Sequence, residues 1–269
     1  MRRRSLLAAV GIAAVSYPLA AYAETTPAKI VFILAHPDDE TISTSVAIAE
    51  HAAAPNTEVH VLLLTHGEKS GVLAALNGTE INSWWGVAHD PTEEGYSLLT
   101  AQDMAEARTW EAVTALRCLG NGITIHYGGL PDGGVTVEDA QAAILEVCQE
   151  INPGGPVRLK THTDVPGLET HPDHLAAGRA TRNLRALYPD RYSDVRYYVG
   201  PGYWQSSALA TVTHFWDDPS TALITARARN AVNSYRAWAP MRGAYAIGYH
   251  SKSDWLDIIA KTPRCLVHS

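Results

Sequence analysis

Lys29–Leu34 (KIVFIL) is a continuous apolar run without the polar alternation of a half-solvated strand, and Glu58–Leu64 (EVHVLLL) reads as a second strand. The first predicts a buried strand of a parallel sheet. Between them, Thr41–Ala54 reads as a helix. Leu73–Leu99 loses its period and contains Asn77-Gly78, Trp84-Trp85 and Asp90-Pro91, which predicts a long loop with a short helix. Thr100–Leu119 regains helical spacing, with Thr100 placed to cap it, Asp103 three residues on and Gly120 to stop it. Strands follow at Gly122–Tyr127, Val157–Thr161 and Val195–Val199. Helices follow at Glu138–Ile151 and His174–Leu187, with a turn at Leu130–Gly134. Alternating strands and helices predict an α/β fold, a Rossmann-like three-layer sandwich around a mostly parallel sheet. Residues 200–269 are less periodic, with a helical stretch near Pro219–Tyr235, and are expected to wrap the same domain.

The N-terminus departs from this pattern. Arg2, Arg3 and Arg4 precede an apolar run from Leu6 to about Ala20, and Ala21-Tyr22-Ala23 offers a small-residue cleavage site. This is the pattern of a secretory signal over residues 1–23, ahead of one domain at 24–269. Arg3-Arg4-Ser5-Leu6-Leu7 loosely resembles a twin-arginine signal. The expectation is a secreted or periplasmic protein with no stable membrane anchor once the signal is removed.

Composition narrows the class. Hydrophobic residues make up 46% of 269, enough for a sizeable core. The net charge is −7, and no basic run stands outside the leader, which argues against a nucleic-acid partner. Of three cysteines, Cys118 and Cys148 fall in helical patterns and are expected to be buried thiols, while Cys265 is expected to be exposed. Histidine is plentiful, at 12.

Two clusters containing histidine carry chemistry. Ala35-His36-Pro37-Asp38-Asp39-Glu40 directly follows the first strand, at the carboxyl end where open α/β sheets place ligands. Helix capping would use one carboxylate; a His, two Asp and a Glu exceed that need. His171-Pro172-Asp173-His174 opens a later helix, after the Val157–Thr161 strand. The two clusters fall in loops at the same end of one sheet, so they can face each other. Two imidazoles and a carboxylate make the three-ligand set of a catalytic zinc site with one open position; ferrous iron also tolerates these ligands. No GxGxxG turn follows the first strand, which disfavours a nicotinamide enzyme.

With these motifs in hand, the sequence resembles the PIG-L (LmbE-like) family of metal-dependent N-deacetylases. The resemblance runs from about Lys29 to Leu187. It includes Thr65-His66-Gly67-Glu68, Arg108-Thr109-Trp110-Glu111, Pro131-Asp132-Gly133, and Asp164 and Gly167. It implies hydrolysis of an N-acetyl group on an N-acetylglucosamine-type sugar, with a small-molecule or oligosaccharide amino-sugar substrate. It further implies that His36, Asp39 and His174 bind the metal and that Asp38 is the general base. His171 would be the acid or electrophile near the developing oxyanion, and Asp173 would orient His171 and favour its cationic form.

Other positions stay open between two readings. Arg108 either contacts substrate or pairs with Glu111 on a helix surface. Asp132 either contacts substrate or serves a turn. Glu68 is expected at the substrate, His66 in a loop facing the site, and Glu40 as a first-turn charge. Trp84, Trp85, Tyr96, Tyr203 and Trp204 either rim the site or anchor loops by packing. His214, Trp216, Asp217 and Asp218 are read as structural. A non-sugar amide hydrolase and a non-catalytic carbohydrate-binding protein remain alternatives. The intact Asp38 argues against the second, and export favours extracellular glycans, cell-wall fragments or secreted glycosylated metabolites as substrates.

Overall fold

The run KIVFIL resolves into two interleaved faces. In β1 (Ala28–Leu34), Ile30, Phe32 and Leu34 enter one core and Val31 and Ile33 another. Every one of these side chains is fully buried, which is why the strand shows no polar alternation. The computed structural model describes residues 26–269. The expected leader therefore lies outside the described residues.

Five strands run parallel: β1, β2 (Thr57–Leu63), β3 (Thr124–Tyr127), β4 (Arg158–His162) and β5 (Val195–Val199). Their spatial order is β3-β2-β1-β4-β5. β1 thus sits where successive connections leave in opposite directions, the switch point at which such sheets bind ligands. The C-terminal region does more than wrap. β6 (His214–Asp217) and a final strand (Cys265–His268) extend the sheet in antiparallel fashion, with the final strand lying between β5 and β6. Cys265 is therefore buried rather than exposed, because its four-residue strand, too short to show a period, lies inside the sheet. All three cysteines are free.

One core packs the sheet against α2 (Ser45–Ala53), α4 (Ala101–Leu119), α7 (Ala222–Ser234) and α8 (Ile247–Lys261). The other packs it against α5 (Val137–Ile151) and α6 (Pro172–Leu187), which completes the three layers. The helix expected over Thr41–Ala54 is two: α1 (Asp39–Ile42) and α2. Thr44 interrupts it, its hydroxyl turned back onto the Glu40 carbonyl at 3.3 Å. α4 carries the expected capping box, with Thr100 and Asp103 bonded reciprocally. The short helix expected in the long loop is α3 (Val72–Leu76), whereas α8 was not legible in the sequence. Among the described residues no helix is long and apolar enough to cross a membrane.

Candidate metal centre

The loop after β1 is bent around Asp38, whose φ of 119° and ψ of −25° are unusual for a residue with a Cβ. Such a conformation costs about 1–3 kcal/mol and persists only where its surroundings hold it. Three groups do so. Glu40 Oε2 accepts the Asp38 backbone N–H at 3.1 Å. Arg108, reaching across from α4, donates Nη2 to the Pro37 carbonyl at 2.6 Å and to Asp38 Oδ2 at 3.1 Å. Its Nη1 donates to the Gly67 carbonyl at 3.2 Å. Glu40 itself is wholly buried and accepts from the hydroxyls of Tyr235 and Thr41, so it is far more than a first-turn surface charge. Burial pushes its carboxyl up to about 7.

Asp39 opens α1, and its Oδ2 accepts the His36 backbone N–H at 2.8 Å. On the opposite side, His171 is the N-cap of α6 and Pro172 takes the first helical position, where a missing N–H is harmless. Asp173 and His174 follow in the first turn. The two loops meet over the carboxyl ends of β1 and β4.

Hydrogen-bond roles at the junction follow from the partners. His174 Nδ1 lies 2.8 Å from Glu169 Oε2, so this nitrogen donates and Nε2 keeps its lone pair. His36 Nε2 lies 3.2 Å from both Asp132 Oδ1 and Asp173 Oδ2, so its Nδ1 keeps the lone pair. These two unprotonated nitrogens stand 3.1 Å apart. Asp39 Oδ2 completes the triangle at 3.4 Å from His174 Nε2 and 3.7 Å from His36 Nδ1. Donors on a tetrahedral zinc at its usual bond lengths lie about 3.3–3.4 Å apart. Two lone pairs and a carboxylate oxygen at this spacing repel one another unless a proton or a metal cation lies between them. The carboxylates behind both imidazoles are the outer partners that metal-ligating histidines commonly have. The donor set therefore fits a divalent metal. Neighbouring groups share the space: His36, His171 and His174 also converge, as do Asp39, His162 and His174.

Protons compete with a metal for these same atoms. Burial opposes ionisation of Asp39, but His174 and His162 outweigh it and hold the carboxyl well below the usual range. Burial likewise works against charge on His174, and Asp39 and Glu169 reverse it. Burial raises Asp38 to about 6, with Arg108 pulling the other way.

Comparison with known proteins now bears on this centre. The family model described as PIG-L: GlcNAc-PI de-N-acetylase matches residues 31–185, which include both histidine motifs. The chain belongs to the PIG-L family. A relative from Frankia casuarinae, named 1D-myo-inositol 2-acetamido-2-deoxy-alpha-D-glucopyranoside deacetylase 1, is 30% identical over 193 residues. That alignment covers 67% of this PIG-L chain, which spans 57% of the relative's length. A crystal structure of a deacetylase from the teicoplanin biosynthesis pathway shares the fold at a TM-score of 0.60 and 14% identity, covering 89% of this chain and 96% of that one. The 4-carboxy-2-hydroxymuconate hydratase GalB of Pseudomonas putida KT2440 shares it at 0.51 and 16%, covering 89% and 95%. The PIG-L fold thus carries more than one reaction, and the reaction must be argued from the site.

Several residues of this PIG-L chain sit differently from expectation. Arg108 is buried and does not pair with Glu111 on a surface; it holds the Asp38 turn. The Glu68 carboxylate accepts the Asp132 backbone N–H at 2.8 Å, and Asp132 Oδ2 accepts the Lys69 backbone N–H at 2.8 Å. This clasp joins the loops after β2 and β3. It spends Glu68 on loop structure, while Asp132 also braces His36. His66 bonds Thr109 at 3.1 Å and stacks on Tyr127, away from the centre. Asp173 orients His171, but with its main-chain N–H, which meets His171 Nδ1 at 3.3 Å. Its carboxylate turns instead to His36 and to the backbone N–H groups of Gly133 and Val135. The reason is position: at the second residue of a helix the N–H is free to point at the N-cap side chain. Burial, and then His36 and His174, lower the His171 pKa, so the cationic form is not the favoured one.

Two residues of the PIG-L centre were missed. His162 ends β4, stacks on His174 at 3.9 Å and places Nε2 3.2 Å from Asp39 Oδ2. Its signal was there, a histidine at the carboxyl end of a strand beside the first motif. Glu169 had no signal beyond lying five residues before His174. The aromatics resolve as packing. Trp84 and Trp85 cluster with Trp238 and His250, Tyr96 donates its hydroxyl to the Leu76 carbonyl at 2.6 Å, and Trp204 donates to the Val199 carbonyl at 2.9 Å. None of these lines the cleft over the centre.

Proposed function

We propose that this protein is a metal-dependent hydrolase that removes the N-acetyl group from an N-acetylglucosamine-type sugar or glycoconjugate. The convergence of His36 Nδ1, His174 Nε2 and Asp39 Oδ2 carries the reading, with the Asp38 carboxylate presented beside them by a strained turn. Zinc or ferrous iron, held by His36, Asp39 and His174, would lower the pKa of water to about 7 and polarise the carbonyl. Asp38 has one free task in this arrangement. It accepts a proton as the water oxygen bonds to the acetyl carbon, and returns it to the sugar nitrogen as the C–N bond breaks. Acetate and the free amine are the products. Positioned transfer of this kind is worth roughly 10²–10⁴-fold. His171 accepts the Asp173 N–H on Nδ1, so its neutral ring carries the proton on Nε2. That N–H is the donor for the oxyanion formed on attack. Asp173 acts through His36 and through the pose of His171. Arg108 and Asp132 line the same cleft, their ends already engaged with Asp38 and His36.

The same reading includes export, which rests on residues 1–23 and would put the substrate among extracellular amino sugars. Amino-terminal sequencing of protein recovered outside the cytoplasm tests it, with Glu24 the expected first residue.

The activity itself is tested by acetate release from N-acetylglucosamine, chito-oligosaccharides and N-acetylated glycosides by zinc-loaded and iron-loaded protein. Release that disappears in Asp38→Ala, with the metal retained, is the expected result. Full activity in that variant would remove the base assignment, and no release from any amino sugar with the metal bound would remove the function.

A further inference from the structure

The mouth of the cleft is finished by α8, which the chemistry above does not use. The cleft, of about 150 Å³, is lined on that side by Ser251, Lys252 and Trp255. α8 bends here, with Lys252 leaving helical geometry at φ −141° and ψ 44°. The indole of Trp255 is seated against Gly200 and Gly202. A Cβ on Gly202 would lie 2.3 Å from Trp255 Cζ2, and one on Gly200 2.8 Å from Cζ3. The backbone at Gly200 is ordinary, at φ −64°, so close approach of the ring explains the glycine there. Tyr203 meets the indole edge-on at 5.9 Å, and its hydroxyl bonds Thr170 Oγ1 at 2.7 Å, next to His171. The indole is thereby fixed to the segment that carries the oxyanion donor. Above the ring stands the Lys252 ammonium, 4.7 Å from its centroid. Among the described residues Lys252 has no carboxylate within ion-pair distance.

A flat, half-buried indole fixed beside a polar cleft suits a ligand with one apolar face and a polar rim. A pyranose ring is such a ligand. At about 150 Å³ the cleft is smaller than the usual site that encloses a whole ligand, so it takes the acetamido end of a sugar and not all of a glycoside. The rest of the sugar must lie across the mouth, where Trp255 stands.

We propose that Trp255, with Lys252 above it, is the platform on which the pyranose ring of the substrate stacks, Lys252 moving from the indole to the sugar oxygens as the ring arrives. This rests on the deacetylase reading and extends it, assigning the sugar-binding role to α8 rather than to the tryptophans of the long loop.

Steady-state kinetics with methyl N-acetylglucosaminide test it. In Trp255→Ala, KM should rise about tenfold, equivalent to ~1.4 kcal/mol, while kcat and metal content change little. Trp255→Phe should keep most of the affinity. Gly202→Ala removes no side chain but pushes the indole off its seat, and should raise KM as well. An unchanged KM in both Trp255→Ala and Gly202→Ala overturns the platform; if Trp255→Ala does not fold, Gly202→Ala and Trp255→Phe decide. Calorimetric titration of the zinc-loaded protein with the same glycoside separates this idea from the deacetylase reading. Should the wild type release no acetate, binding that Trp255→Phe keeps and Gly202→Ala weakens would sustain the platform. Absence of binding to the wild type would end it.

Discussion

Arg108 and Glu111 lie one turn apart on α4, yet they hold opposite walls of one cleft. Arg108 reaches Asp38 Oδ2 at 3.1 Å, and Glu111 Oε1 accepts the Ile247 N–H at 2.7 Å, where α8 begins. Glu111 Oε2 also accepts the Gly248 N–H, at 3.2 Å. Spacing of i, i+3 allows the two to pair on a helix surface. Both are buried, and each is used elsewhere. α4 therefore sets the distance between the turn that carries Asp38 and the helix that lines the cleft.

Removing Arg108 should cost more than activity. Asp38 would be left as an unpartnered buried charge, and breaking a buried pair in this way costs about 3–5 kcal/mol. Arg108→Ala is expected to lower the denaturant midpoint strongly. Arg108→Lys should fold better and still lose turnover, since one ammonium cannot reach Pro37, Gly67 and Asp38 together. Gly67→Ala should act on the same arginine. Its φ is +69° and its Cβ would fall 2.4 Å from Arg108 Nη1. Wild-type turnover in a folded Gly67→Ala protein would show that the arginine's placement is not critical.

Asp38→Asn keeps the shape of the turn and removes the proton acceptor. Turnover should fall by roughly 10²–10⁴-fold with metal content unchanged. Metal analysis alongside acetate release checks both halves of that expectation.

Metal retention should divide the histidines and their supports. His36→Ala and His174→Ala should each yield protein that does not hold zinc through dialysis. Glu169→Gln should weaken zinc about 10–100-fold, because Glu169 fixes the His174 tautomer. Zinc-dependent stabilisation should shrink by about 1.4–2.7 kcal/mol accordingly, read as a smaller rise of Tm at the same zinc concentration. An equal rise in wild type and Glu169→Gln would show that the carboxylate does not act through the imidazole.

Stability should fall as the solution becomes alkaline. Burial, opposed by the Ile247 and Gly248 N–H bonds, raises Glu111 from its usual 4.5 to about 8. The folded state thus holds this proton more tightly than the unfolded state. Its contribution is fully present below about pH 4.5 and is lost as pH rises through about 8. The loss is of order 3–5 kcal/mol by linkage. Urea unfolding at pH 5.5 and pH 8.5 should show the fall, and Glu111→Gln should show less of it. Equal pH dependence in the two proteins would place the ionisation elsewhere.

Much of this architecture is legible in the sequence. The strand KIVFIL announced a buried β1 because a strand covered on both faces needs no polar positions. α4 was delimited by Thr100, Asp103 and Gly120, all local signals. His36, Asp39, His171 and His174 were readable because both motifs follow strands of one sheet. Less legible were Cys265, whose strand is too short to have a period, and α8, whose backbone departs from helical geometry at Lys252. Glu68, His66 and the tryptophans of the long loop were readable as residue types but not as positions.

The sequence by itself determined the α/β class, the two loops that could bear a metal, and the residue types available to hold it. Only the tertiary structure decided which nitrogen of each imidazole faces the centre, that Asp173 braces His36 with its carboxylate and His171 with its backbone, and that Trp255 rather than Trp84 or Trp85 lines the cleft. The division has a physical cause. Strands, caps and motifs are written in neighbouring residues, whereas a tautomer or a cleft wall depends on a partner far along the chain: Glu40 on Tyr235, Glu111 on Ile247, Asp39 on His162.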